Sequence, residues 1–474
     1  MPSKEDKNSC IQNNIPLELD LVSHEDVSHS TEDTPSTPII ESAVPEADYL
    51  DTMYSSNEIH AAMTAQPWDK LGHPTSVLVA ATDCREIHII RASALLEYHL
   101  DRVLKHRDTN SKMSEEVKIQ CRKLVKEVAK QYNGAKFHSL SHAIHVVTSM
   151  NKLLSHVVTE DPLNSFSLVF ACLLHDAGHT GKCSPFSSFL DTFALLPGCV
   201  FTSHLSFTMT IGMSNTILRE IKHPLTEVYK QEQIPIAEKL SIDIALELLF
   251  RPDFDVLRLA IMPDTICKIQ FAKTLFQAIL VTDIASPDRV KLGVERYAVA
   301  QDEQGEYDCR LCPLAPYLED LYQGVGLGES VKKEYPEEFV ITHAGLQKCV
   351  RNEHLMLLAD VSHLAQGWDN FIKWNFRLFK ELHESWKKGY CEDPQVGWYQ
   401  GQIGFIDNYI LPLAKRSQAY VEKDFGDALV ANVLRNRNRW VECGVKATEM
   451  MASGADLSAE LENDVLARLS KLGN

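Results

Sequence analysis

The feature that most constrains this chain is its hydrophobic period. In VKIQCRKLVKEVAKQY (117–132), IHVVTSMNKLLSHVV (144–158), IAEKLSIDIALELLF (236–250) and FIKWNFRLFKELHESW (371–386), apolar residues recur at spacings of three and four. That spacing gathers them on one face of a helix, and the two-residue alternation of a half-buried strand is nearly absent. The pattern predicts an all-α domain over about 80–446. One long irregular segment, 299–338, interrupts it where Gly, Pro and acidic residues cluster. A loop of that length inside a compact domain suits a lid, a partner surface or a merely disordered segment. No repeat recurs at a fixed period.

The chain has 474 residues and is 45% apolar, enough to fill the core of one large domain. Its longest apolar runs, LVFACLL and LFQAILV, fall well short of the roughly 18 residues of a membrane span, and MPSKEDKNSC lacks the basic start and apolar stretch of a signal peptide. A cytoplasmic location is expected. Twelve cysteines scattered without a frame then read as reduced thiols. Cys309 and Cys312 have ligand-like spacing, but no second pair accompanies them, so structural zinc is not expected there.

Residues 1–60 hold thirteen Asp or Glu against two Lys and account for −11 of the formal charge of −18. The rest is only mildly acidic, and no Lys/Arg stripe marks a nucleic-acid binder. The acidic leader is rich in Ser, Thr and Pro and poor in aromatic residues, so residues 1–65 are expected to be a disordered tail. Residues 447–474 are set down as a C-terminal tail.

Against this background the histidines stand out. In KFHSLSHAIHVV, His138, His142 and His145 are spaced by four and three, which on a helix places them on one face. Behind the apolar run LVFACLL comes HDAGHTG, with His175, Asp176 and His179, and Asp360 follows another apolar run in LMLLADVSH. Imidazoles and carboxylates at the ends of buried apolar helices are costly unless neutralised, and a metal ion is the usual neutraliser. Imidazole nitrogen suits zinc, while a carboxylate with two oxygens can bridge two cations. Two cations sharing Asp176 and a hydroxide would lower the pKa of water and clamp phosphoryl oxygens, the requirement for phosphoester hydrolysis. A histidine of the cluster outside the metal shell would supply the acid for the leaving oxygen.

These residues resemble a known family. FHSLSHAIHV is similar to the YHNxxHAxxV motif of the class I cyclic-nucleotide phosphodiesterases and HDAGHTG to their HDxDHxG motif. LVTDIAS, ADVSH and GQIGFIDNYILPL resemble three further segments, in the family's order across about 280 residues. The closest pattern is that of protist and microalgal members. The resemblance implies a compact multi-helix domain of the HD type and hydrolysis of cAMP, cGMP or both to 5′-nucleoside monophosphates.

It also implies a set of roles. His142, His175, Asp176 and Asp360 would hold the tighter metal, Zn²⁺, and Asp176 would bridge to a second, more hydrated Mg²⁺ or Mn²⁺. His138 would be the general acid for the departing 3′ oxygen. His179 would bind waters around the second metal, with Thr282 and Asp283 as weaker candidates. Gln402 matches the purine-selective glutamine, Phe405 would stack on the base, Leu378 would form the aliphatic side of that clamp, and His363 touches base selection. His145, where animal members usually carry Asp, has either a supporting role beside the metal or a packing role. Homodimers are common in the family.

The chain departs from the pattern at Ser139, Gly178 and Ser184, where the family usually has Asn, Asp and Asn. The family's Glu some twenty-five residues after the HD pair is not apparent around Phe201, Thr202 and Ser203. Losing such supporting groups commonly costs 10- to 100-fold in metal affinity or activity. Because every metal ligand and the proton donor that the resemblance implies are present, the leading expectation is an active phosphodiesterase. The alternative is a cyclic-nucleotide-binding pseudoenzyme or scaffold, which would bind without turnover. A generic HD-type phosphohydrolase is a third reading, against which Gln402 and Phe405 argue.

Overall fold

A computed structural model describes residues 55–71, 85–132, 134–157, 161–179, 215–220, 222–229, 235–284, 286–302, 342–456 and 459–473. In chain order the helices are α1 (Ser56–Ala65), α2 (Arg85–Arg107), α3 (Glu115–Ala129), α4 (Leu140–Leu154), α5 (Pro162–Leu174), α6 (Asn215–Glu220), α7 (Pro224–Val228), α8 (Ile236–Phe250) and α9 (Asp255–Ile261). There follow α10 (Thr265–Leu280), α11 (Pro287–Gln301), α12 (His343–Asp360), α13 (Trp368–Lys387), α14 (Trp398–Phe405), α15 (Leu411–Ser417), α16 (Lys423–Gly454) and α17 (Ala459–Leu469). No strand occurs among the described residues, as the period implies.

Local chemistry sets many of the starts. Ser114 caps α3, Asp161 caps α5 with Pro162 behind it, Asp264 caps α10 and Thr342 caps α12, each side chain accepting from a backbone N–H of the first turn. The mostly apolar α5, whose polar residues are Asn164, Ser165 and Ser167, is the central element. Every residue from Leu163 to Leu174 is buried, and α2, α4 and α10 pack around it. A helix with apolar residues on every side is driven to the interior, and its polar side chains are satisfied there: Asn164 by Asn352, Ser165 by the Asp161 carbonyl and Ser167 by the Leu163 carbonyl.

Several sequence boundaries move. Within the expected tail 1–65, residues 56–65 form α1, held by a capping box between Ser55 and Glu58 and burying Ile59 and Met63 against the domain. The boundary at 446 falls inside α16, and in the stretch taken as a C-terminal tail α17 buries Val465 and Leu469. Both end helices are amphipathic on a narrow face, so their pull comes from the domain surface and not from their own composition. The segment 299–338 begins within α11; its remainder, with Cys309 and Cys312, lies outside the described residues, as do residues 1–54, Ser184 and Phe201–Ser203. No helix among the described residues is long and apolar enough to cross a membrane.

Candidate active site

His138 does not share the helix of His142 and His145. Ser139 is the N-cap of α4, its Oγ accepting from His142 N at 3.4 Å, so the chain is extended at Ser139 and His138 lies before the first turn. The spacing of four therefore does not stack His138 over His142. Ser139 caps α4, a task for which Ser and Asn are both favoured.

Two groups of ligand atoms come together at the helix ends. His142, His175 and Asp360 form one, and His138, Asp176 and His179 the other, with the atoms of each group within 4.8 Å of one another. His142 comes from the first turn of α4, His175 and Asp176 follow α5 directly, and Asp360 ends α12. The groups are contiguous: Asp176 Oδ2 lies 3.1 Å from His175 Nε2 and 3.8 Å from His142 Nε2, while Asp360 Oδ1 lies 3.0 Å from His142 Nε2 and 3.4 Å from His175 Nε2.

The tautomer of His175 tests whether these residues suit a cation. Its Nδ1 donates to the Cys172 carbonyl at 2.9 Å, so in the neutral ring Nε2 carries a lone pair, aimed at two carboxylates. His175 Nε2, Asp176 Oδ2 and His179 Nε2 are buried and lack any hydrogen-bond partner. Electron-rich atoms facing one another in a buried site are stable only with a cation or a proton between them, and a backbone carbonyl fixing the distal imidazole nitrogen is the usual support for a metal ligand. Burial opposes the charged form of Asp360, but His142 and His175 outweigh it and hold the carboxyl well below the usual range. The donor set fits a divalent metal.

Beside this cluster stands a pair that sequence reasoning missed. Glu381 of α13 is fully buried and pairs with His138 Nδ1, while its other oxygen accepts from the backbone N–H of Phe137 at 2.7 Å and of His138 at 3.1 Å. Burial disfavours charge on the His138 ring, but Glu381 and Asp176 overcome it and raise the ring to about 9. His179, with its ring 5.3 Å from that of His138, is driven by burial to about 4 and stays neutral. The only sequence signal for Glu381 was a glutamate on the apolar side of an otherwise regular helical stripe.

Three more of the residues singled out in the sequence, Leu378, Gln402 and Phe405, lie on α13 and α14. Asn375 Nδ2 donates to Gln402 Oε1 at 2.7 Å, and Trp398 Nε1 donates to Asn375 Oδ1 at 2.8 Å, so the Gln402 carboxamide is held in one orientation with its oxygen engaged. Leu378 is one turn beyond Asn375 on α13 and Phe405 one turn beyond Gln402 on α14, which puts both on the side where the helices meet. Phe405 stacks on Tyr409 with centroids 5.3 Å apart, across a π-helical turn at Ile406–Ile410. Such turns occur often at functional sites.

The remaining candidates are placed less centrally. Thr282 donates its hydroxyl to the Ile279 carbonyl at 2.7 Å, and neither it nor the buried Asp283 belongs to the two ligand groups. His363 is wedged against Phe137 and Trp374, and burial pushes its ring down to about 3. His145 Nε2 lies 3.2 Å from Ser362 Oγ. Gly178 has a φ of +84°, and a Cβ there would lie 2.6 Å from Ile244 Cδ1, so a side chain at the position where the family usually has Asp would strain the backbone and crowd Ile244.

Comparisons with known proteins agree with this architecture. Residues 210–431 match the family model described as 3′5′-cyclic nucleotide phosphodiesterase, which takes in Asp360, Gln402 and Phe405 and begins after His179. The phosphodiesterase domain of the RhoPDE fusion protein from the choanoflagellate Salpingoeca rosetta is similar with a TM-score of 0.54 at 17% identity, over 84% of this chain and 100% of that one. A second structure, of the phosphodiesterase domain of Salpingoeca rosetta rhodopsin phosphodiesterase, gives 0.53 at 16% identity, over 85% and 99%. LmjPDEB1 in complex with IBMX gives 0.52 at 15%, over 81% and 97%. At such identities the structural likeness is one of fold. No curated protein sequence matches the chain significantly.

Proposed function

We infer the reaction from the family, since this chain carries a class I 3′5′-cyclic nucleotide phosphodiesterase domain, and propose that it hydrolyses cAMP, cGMP or both with the help of bound divalent metal. The observation that carries the reading is the meeting of His142, His175, Asp176 and Asp360 in one buried cluster, with the His138–Glu381 pair beside it. His142, His175, Asp176 and Asp360 would hold a tighter metal such as Zn²⁺, and Asp176 with His179 would face a second, Mg²⁺ or Mn²⁺. Bound there, metal supplies a water of lowered pKa and charge for the phosphoryl oxygens.

The side chains do the rest. Glu381 occupies His138 Nδ1, which leaves Nε2 as the nitrogen that delivers a proton to the 3′ oxygen. In the reaction a water oxygen bonds to phosphorus and its proton is released to solvent, the P–O3′ bond breaks, O3′ takes the His138 proton, and His138 is reprotonated from solvent. Gln402, held by Asn375, would read the base edge with Phe405 and Leu378 flanking the ring, and His363, which packs edge-on against Phe137, would bear on base selection. Gly178 supports a second reading. The carboxylate usual in the family at that position is absent, and cyclic-nucleotide binding without turnover is the corresponding behaviour.

The test is hydrolysis of cAMP, cGMP and a non-cyclic phosphoester by the purified chain with added Mg²⁺ or Mn²⁺, beside Asp360→Ala. Metal-dependent turnover of a cyclic nucleotide that vanishes in the variant is expected. Turnover of the non-cyclic ester alone would point to a generic phosphohydrolase, and binding without turnover to the pseudoenzyme.

A further inference from the structure

The turn that joins Asp360 to α13 is gripped by distant parts of the chain. Each carbonyl from Leu364 to Gln366 accepts a side-chain donor. Asn436 Nδ2 of α16 reaches Leu364 O at 3.0 Å and Gln366 O at 2.8 Å, and Trp68 Nε1 reaches Ala365 O at 2.7 Å. Next, Gly367 N donates to Asp69 O at 3.0 Å, and a Cβ at Gly367 would overlap that carbonyl.

Beneath the turn runs a buried chain of hydrogen bonds. Asn370 Nδ2 donates to Leu71 O at 2.9 Å and to Gln366 Oε1 at 2.8 Å. Gln366 Nε2 donates to Ser149 Oγ at 3.2 Å, the Ser149 and Ser362 hydroxyls are 2.8 Å apart, and Ser362 meets His145. The chain thus begins on the short segment Trp68–Leu71, passes two residues from Asp360, and ends on α4 one turn from His142. Upstream of the segment, α1 makes separate bonds to the domain, Ser56 Oγ donating to Glu97 at 2.5 Å and Asn151 Nδ2 to Thr64 Oγ1 at 3.1 Å, and neither bond involves Trp68–Leu71 or the turn.

We propose that Trp68–Leu71 is a positioning strap for the metal cluster: through Trp68, Asn370 and the Gln366–Ser149–Ser362–His145 chain it fixes the relative placement of Asp360 and His142. The proposal rests on the reading of those two residues as metal ligands. Groups that orient ligands from behind commonly set metal affinity 10- to 100-fold, and a carboxylate at a helix end can be aimed only as firmly as the turn that follows it. The role also gives His145 a function beyond filling space.

The experiment compares full-length wild type, Trp68→Phe and Asn370→Leu, with Ser56→Ala as a control that loosens α1 without touching the turn. Zn²⁺ affinity is measured by competition with a chelating indicator, and hydrogen exchange is followed over residues 361–370. The two strap variants should bind Zn²⁺ at least about tenfold more weakly, with faster exchange in the turn, and Ser56→Ala should do neither. Strap variants with a lower Tm but wild-type affinity overturn the proposal and leave the segment merely stabilising. A folded wild type that binds no Zn²⁺ overturns the metal reading itself, and the strap proposal with it.

Discussion

Glu381 holds the segment that carries His138 at three points: the His138 ring through Nδ1 on one oxygen, and the backbone N–H groups of Phe137 and His138 on the other. A fully buried carboxylate with this many donors is a fixed reference for the imidazole, and its charge stabilises the protonated ring. Burial alone would favour a neutral Glu381, but the His138 charge and these hydrogen bonds hold its carboxyl below the usual range.

Replacing Glu381 with Gln should therefore lower kcat by about 100-fold or more, the usual worth of a positioned acid, while KM stays within a few-fold. Steady-state kinetics decide it. A rise in KM with kcat intact would mean that Glu381 serves binding and not proton delivery.

The buried lone pairs of His175, Asp176 and His179 predict that the metal-free protein is the less stable form. Chelation should lower Tm, and Zn²⁺ at 100 times its Kd should restore about 2.7 kcal/mol. Asp360→Ala should abolish both the Zn²⁺-dependent rise in Tm and the turnover. An equal Tm with and without metal would contradict the cluster's assignment.

The clamp on Gln402 predicts its own signature. With Asn375→Leu the carboxamide loses the donor that fixes it, so the ratio of kcat/KM between cAMP and cGMP should move toward one. Phe405→Ala should raise KM several-fold, consistent with about 0.5–1.5 kcal/mol for lost stacking, with less effect on kcat. An unchanged nucleotide ratio in Asn375→Leu would detach Asn375 from base selection.

Restoring the family's usual residue at Gly178 should do harm. Gly178→Asp must accept a positive φ and a clash with Ile244, so a loss of about 1–3 kcal/mol and a lower Tm are expected, without a gain in activity. Thermal denaturation beside the hydrolysis assay checks both parts. Higher activity at an unchanged Tm would show that the loop adapts.

Two histidines away from the metal cluster set a pH limit. Burial lowers both His99 and His354 to about 4, below the unfolded value near 6.5. Between those values the unfolded chain binds more protons than the folded one, so stability rises with pH across that window and falls as the solution is acidified. Tm measured from pH 7 to pH 4 should decline from about 6.5 downward, and less steeply in His99→Asn if that variant folds. A flat profile over the window would mean that these rings are protonated in the native state.

The parts of the site that lie near one another in sequence were legible before the fold. His175 and Asp176 sit behind a run in which every residue from Leu163 to Leu174 is buried, and Asp360 ends α12, as their apolar approaches implied. Gln402 and Phe405 share one helical turn. The reading went astray where a period was trusted across a cap: Ser139 accepts the N–H of His142 and takes His138 off the helix. It also cut the domain short at both ends, because Ile59, Met63, Val465 and Leu469 are too few to signal a core helix until a surface receives them.

The sequence by itself determined that the chain is helical, where many of its helices start, and which His and Asp residues stand at helix ends. These follow from the three-to-four period, from capping side chains and from the cost of burying polar groups, all local properties. Only the tertiary structure decided the partners: Glu381 for His138 across 243 residues, Asn375 for Gln402, and Trp68 for the Ala365 carbonyl across 297. A buried charge or donor is satisfied by whatever the packing of helices brings within 3 Å, and separation along the chain carries no record of that distance.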